Sequence, residues 1–77
     1  MANLGDISKG LTGVIKGYAQ GSAQYRKHLL ALGLTPGTLF RVTRIAPLGD
    51  PIEIKVRGCA ISLRKAEAAV ISVEVHD

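Results

Sequence analysis

In residues 33–58, GLTPGTLFRVTRIAPLGDPIEIKVRG, two strand-like patterns flank a stretch that cannot join a ladder. Ile52, Ile54 and Val56 alternate with Glu53, Lys55 and Arg57, the period-2 signature of a strand with one dry face and one wet face. Upstream, Phe40, Val42 and Ala46 share a parity with Arg44, while Arg41 and Thr43 take the other face. Between the two patterns runs Ala46-Pro47-Leu48-Gly49-Asp50-Pro51. Its prolines carry no N–H, so they belong in a connection and not inside a paired strand. Ahead of the first strand, Pro36-Gly37 suits the centre of a type II turn, where Pro pre-sets φ and Gly supplies φ > 0. The expectation is an antiparallel pair with a stiff corner, whose dry face the other elements must cover.

Immediately before this pair, residues 22–33 (SAQYRKHLLALG) switch to helical spacing. Ser22 is a good N-cap, and Gly33 is placed to close the helix in a left-handed conformation with Leu34 as its accompanying hydrophobe. Tyr25, Leu29 and Leu32 line one stripe with Leu30 beside it, and Arg26 and Lys27 fall on the outer side. A helix this short is marginal alone and must dock on the sheet. After the pair, Gly58 turns the chain into residues 59–64, where Ile61 and Leu63 point inward. Residues 65–69 read as one helical turn, and residues 70–75 as a final strand with Ile71, Val73 and Val75 on one face. Toward the N-terminus, residues 11–18 (LTGVIKGY) form a first strand in which Gly13 and Gly17 mark a bulge or bend. Residues 1–10 read as a lead-in from which Leu4 and Ile7 can pack. The sum is a mostly β chain of five strands, one short helix (about 22–33) and a helical turn (about 65–69), expected to close as a small barrel.

Seventy-seven residues make one domain, 1–77, with a core of Val, Ile, Leu and Ala and little room for a cleft between lobes. The net charge of +4 favours acidic partners without naming one, since the Lys and Arg residues are spread in runs no longer than two. A single cysteine, Cys59, excludes an internal disulfide and suits a reducing compartment, where it would pack as a small hydrophobe, either buried or on an edge strand. MANLGDISKG lacks the basic and apolar regions of a secretory leader, and no apolar run approaches the ~20 residues that span a bilayer. A soluble, cytoplasmic protein without membrane insertion is expected.

Taken in order, LLALGL at 29–34, Pro36-Gly37, APLGDPI at 46–52, Val56-Arg57-Gly58 and LRKAEA at 63–68 resemble the FeoA family, the small ferrous-iron transport protein A chains. The likeness runs from about Leu4 to Val75, and the APLGDPI corner with the downstream LRK-x-E-A turn is its most specific part. The resemblance implies an SH3-like β-barrel with an inserted helix. It also implies a cytoplasmic accessory to FeoB, the membrane ferrous-iron transporter with a cytosolic GTPase domain, and transition-metal binding as a family-level property. The same domain ends iron-dependent repressors of the diphtheria-toxin-repressor type, but no winged helix precedes it in this sequence, so that role is not expected.

The residues themselves give chemistry little support. His28 and His76 are isolated, and no CxxC, HxxxH or ExxH spacing gathers metal ligands. Neither a P-loop nor a GxGxxG string is present. Catalytic residues, a metal site and a cofactor are therefore not expected. A basic outer face with Arg41, Lys55 and Arg57 raises nucleic acid as a partner, yet only Tyr18, Tyr25 and Phe40 are available to stack, which argues against it. The expected role is a non-enzymatic adaptor that binds and regulates FeoB. Its candidate contact residues are Tyr25, Arg26, Lys27 and Leu29 on the helix, Pro47, Leu48, Asp50 and Pro51 on the corner, and Arg64 beside them. A nucleic-acid-binding barrel and a metal-responsive regulatory module are the alternatives.

Overall fold

The computed structural model describes residues 2–20 and 23–76. Strand β1 (Ala2–Asn3) leads into a 3₁₀ turn (Leu4–Asp6), followed by β2 (Thr12–Tyr18) and helix α1 (Ala23–Ala31). The central hairpin is β3 (Leu39–Ile45) and β4 (Ile52–Val56), and then come β5 (Cys59–Leu63), α2 (Lys65–Ala68) and β6 (Ile71–His76). All pairings are antiparallel, in the order β1-β6-β2-β3-β4-β5. The mostly β architecture with an inserted helix and a helical turn is the one expected.

The central hairpin buries Ile52, Ile54 and Val56 as their alternation requires. In β3 the parity rule breaks usefully. Val42 pairs with Ile54 but Arg44 pairs with Glu53, so Thr43 is an extra residue that shifts the register. Without this bulge Arg44 would share the buried side with Phe40 and Val42; with it, Arg44 is exposed. The Thr43 hydroxyl donates to the Glu53 carbonyl at 3.2 Å, which holds the bulged strand to its partner. At the other end of β4, Arg57 and Gly58 have φ of 52° and 80°, the two positive values that a two-residue type I′ hairpin demands. Arg57 is secured there by donating through Nη1 to the Gly33 carbonyl at 3.0 Å.

Helix α1 is shorter than the expected span, and Ser22 lies outside the described residues. Its C-terminus closes as anticipated. Gly33 N donates to Leu30 O at 3.0 Å and Leu34 N to Leu29 O at 3.2 Å, with Gly33 at φ 86°, the paired bonds of a Schellman cap. Leu29 and Leu34 are both fully buried, the apolar contact that accompanies such a cap. Leu32, expected on the inward stripe, is instead 37% exposed, because the helix ends at Ala31 and the cap turns it outward. Pro36-Gly37 forms the expected turn, with Gly37 at φ 92° and Thr38 N donating to Thr35 O at 3.1 Å.

Three features correct or refine the sequence reading. The lead-in holds a sixth strand, β1, paired with β6, while Leu4 and Ile7 pack in the core as expected. The ladder ends at β1 and β5, so the sheet is not strictly closed; α2, after β5, packs on the 3₁₀ turn after β1 and covers that end with side chains. Of the two placements open to Cys59, the structure has the edge strand: the residue is exposed at the start of β5.

On the wet face, Arg41 and Lys55 stand directly opposite one another across β3 and β4. Like charges in that relation destabilise a sheet. Lys55→Glu, which converts the clash to an attractive pair, should raise stability by about 0.2–1 kcal/mol and the melting temperature by a few degrees. An unchanged or lower melting temperature would contradict a repulsive contact between the two side chains.

Candidate functional site

The corner between β3 and β4 is a closed and anchored loop. Ala46 N donates to Pro51 O at 3.1 Å across its neck, and Gly49 N donates to Ala46 O at 2.7 Å. The inner bond defines a four-residue turn with Pro47 second and Gly49 last, as a type I turn favours, and places Leu48 at the tip. Leu48 is accordingly 93% exposed. The Asp50–Pro51 peptide bond is cis. The Asp50 carboxylate does not cap its own turn but accepts from Lys65 N at 3.2 Å, satisfying an orphan donor in the first turn of α2.

Glu67 links the remaining parts. One carboxylate oxygen accepts from Arg64 N at 2.9 Å, the return half of a capping box. The other lies 3.6 Å from His28 Nε2 on α1. Through Asp50, Glu67 and His28, the corner, α2 and α1 surround one polar groove, lined by His28, Asp50, Pro51, Ser62, Arg64 and Glu67 above Leu63.

This groove gathers Asp50, Pro51 and Arg64 from the residues singled out in the sequence, all three exposed. Pro47 and Leu48 are exposed on the corner but do not line it, and Arg26 and Lys27 are exposed on α1. Tyr25 is half-buried against the core. Leu29 is fully buried, so it anchors α1 and offers nothing to a partner; the stripe that marked it as a contact is the docking stripe of the helix. His28 and Glu67 also line the groove and were not singled out in the sequence. Glu67 stands three positions after Arg64, a capping signal readable in the sequence, whereas its approach to His28 is a tertiary contact that no local pattern announces.

Tyr18 holds the other side of α1. Its hydroxyl donates to the Leu34 carbonyl just past the helix cap. Burial raises the Tyr18 pKa above that of a free phenol and the nearby Arg26 cation opposes the rise, so the group stays a neutral donor at physiological pH. Among the described residues, no three His, Cys, Asp or Glu side chains converge as a metal-ion cage. What the arrangement offers is a rigid, mixed polar and apolar outer surface.

The profile of the FeoA domain family matches residues 2–75. The chain belongs to the FeoA family. A FeoA-like protein from Clostridium acetobutylicum, solved by NMR, superposes with a TM-score of 0.88 at 34% identity, covering 96% of this chain and 85% of that one. A manganese-dependent transcriptional repressor carries the same fold, with a TM-score of 0.89 at 17% identity over 97% of this chain and 41% of its own. In sequence, the FeoA domain is 36% identical over 56 residues to an Fe(2+) transport protein A/Fe(2+) transporter FeoB fusion protein of Porphyromonas gingivalis. That match takes in 73% of this chain and 7% of the much longer fusion protein. The SH3-like fold is thus shared by the FeoA domain and by metal-dependent repressors, and the family association is with ferrous-iron transport.

Proposed function

We propose that this FeoA domain is a small cytoplasmic accessory of ferrous-iron uptake, which binds a FeoB-type transporter and regulates it by protein–protein contact without catalysing a reaction. The observation that carries this reading is the fusion: in the P. gingivalis relative, a domain of this family and the transporter share one polypeptide. Permanent linkage of that kind supports working proximity between the two parts. The surface that fits the role is formed by α1 and the corner, with Arg26 and Lys27 as exposed charges and Leu48 as an exposed apolar tip beside Pro47, Asp50, Pro51 and Arg64. A leucine left in water on a loop held at its neck is already positioned to be buried, so little ordering cost opposes the contact.

The test is binding of the cytosolic domain of the cognate FeoB to the wild-type chain and to Arg26→Glu and Leu48→Asp variants. Both positions are exposed, so both variants should melt near the wild-type temperature. Leu48→Asp should weaken binding by about tenfold or more, and Arg26→Glu should weaken it and alter its salt dependence. Unchanged affinity in both variants would remove the α1–corner surface as the contact.

A further inference from the structure

The outer face of the sheet carries a second surface, which shares no residue with the groove at the corner. The strand registers set His76, Thr12, Arg41 and Lys55 side by side across β6, β2, β3 and β4. Lys9 borders the same patch, and Arg41 and Lys55 line the depressions on both sides of it. Among the described residues, Glu53 and Glu74 are the carboxylates beside this face, and each has a partner other than Arg41 or Lys55: Glu53 shares the Thr43 hydroxyl proton at 3.1 Å, and Glu74 lies 3.6 Å from His76. Among the described residues, neither Arg41 nor Lys55 forms an ion pair.

Beside this cationic row lies an apolar shelf. Leu39 is 65% exposed at the start of β3, paired with the half-buried Val14, and the depression beside it is lined by Gly13 and Phe40. A rim of cations that form no ion pair, set around an exposed leucine, complements a ligand that brings carboxylates and an apolar side chain together. Single-stranded nucleic acid fits less well, because it needs exposed aromatic rings on which to stack. Phe40 is buried, Tyr18 is bonded to Leu34, and Tyr25 packs against the core.

We propose that this face binds an acidic peptide segment, with carboxylates against Arg41 and Lys55 and an apolar side chain on Leu39. Arg57, committed to Gly33 and Thr38, adds fixed positive charge at the rim. The site is independent of the transporter reading and stands or falls without it.

The experiment is a titration of the isotopically labelled chain, followed by amide chemical shifts, with the blocked peptides EELEE, EEAEE and KKLKK and with a thymidine oligonucleotide. EELEE should shift the amides of Gly13, Leu39, Arg41 and Lys55 at low salt, and the effect should fade as salt is added. EEAEE should bind at least several-fold more weakly, and KKLKK should not bind. Arg41→Glu combined with Lys55→Glu should weaken EELEE by about tenfold or more. If that double variant is not folded, Arg41→Gln with Lys55→Gln serves the same purpose and should also weaken binding. Absence of shifts with EELEE, equal affinity for EEAEE, or tighter binding of the oligonucleotide to the same amides would each overturn the proposal.

Discussion

Replacing Leu4 by Ala should cost the protein about 2–5 kcal/mol, the range for truncating a buried leucine. Leu4 is fully buried although it sits in a 3₁₀ turn close to the start of the chain. It belongs to the turn that packs against α2 and β6, at the place where side chains cover the open end of the sheet. Removing it leaves a cavity between elements that no ladder joins. A domain of this size has a stability near the low end of the usual ~5–15 kcal/mol, so the loss is a large part of the total. The melting temperature should fall by on the order of 10 °C or more. A drop of only a degree or two would mean that the N-terminal segment is not part of the cooperative unit.

Gly13→Ala is expected to be nearly as severe, for the opposite reason. A Cβ at this position would lie 2.4 Å from the Glu74 carbonyl oxygen and 2.9 Å from Phe40 Cζ. The first neighbour is backbone of β6, so relief requires β2 and β6 to separate; the second is a buried ring with little room to swing. Overpacking of this kind costs about 1–3 kcal/mol, occasionally more. Gly17 is the control. A Cβ there would meet nothing within 4 Å, and the residue has no positive φ, so Gly17→Ala should be neutral or slightly stabilising. Urea denaturation of the two variants separates them, and similar midpoints would contradict the close approach at Gly13.

These two glycines show what a sequence can and cannot disclose. Both interrupt a strand pattern and both read as bends. The register does shift, between Ile15 and Gly17, whereas Gly13 is required by a carbonyl and a ring brought in from elsewhere in the chain. Local chemistry was legible: the alternation of Ile52, Ile54 and Val56, the turn at Gly37, the cap at Gly33 and the prolines of the corner all follow from neighbours in sequence. What escaped depends on partners far away. Ala2 and Asn3 are too short a run to show a period, and only pairing with Val73 and Ser72 makes them a strand. The bulge at Thr43 was equally hidden, although an arginine at an inward parity was its trace.

The candidate surface divides in the same way. Corner residues were identifiable because turn chemistry forces them outward, and Leu48 at the tip is the extreme case. Leu29 was misplaced because a helical stripe marks which residues meet something without saying whether that is the core or a partner. The groove itself arises from Asp50 reaching Lys65 and Glu67 reaching His28, contacts 15 and 39 residues apart in the chain.

The most direct measurement is amide chemical-shift mapping of the labelled chain with the unlabelled cytosolic domain of its cognate FeoB. Shift changes concentrated on residues 23–31 and 46–51, with Arg64 beside them, are the predicted outcome. No change at saturating partner, or changes on surfaces that exclude both α1 and the corner, would contradict the account.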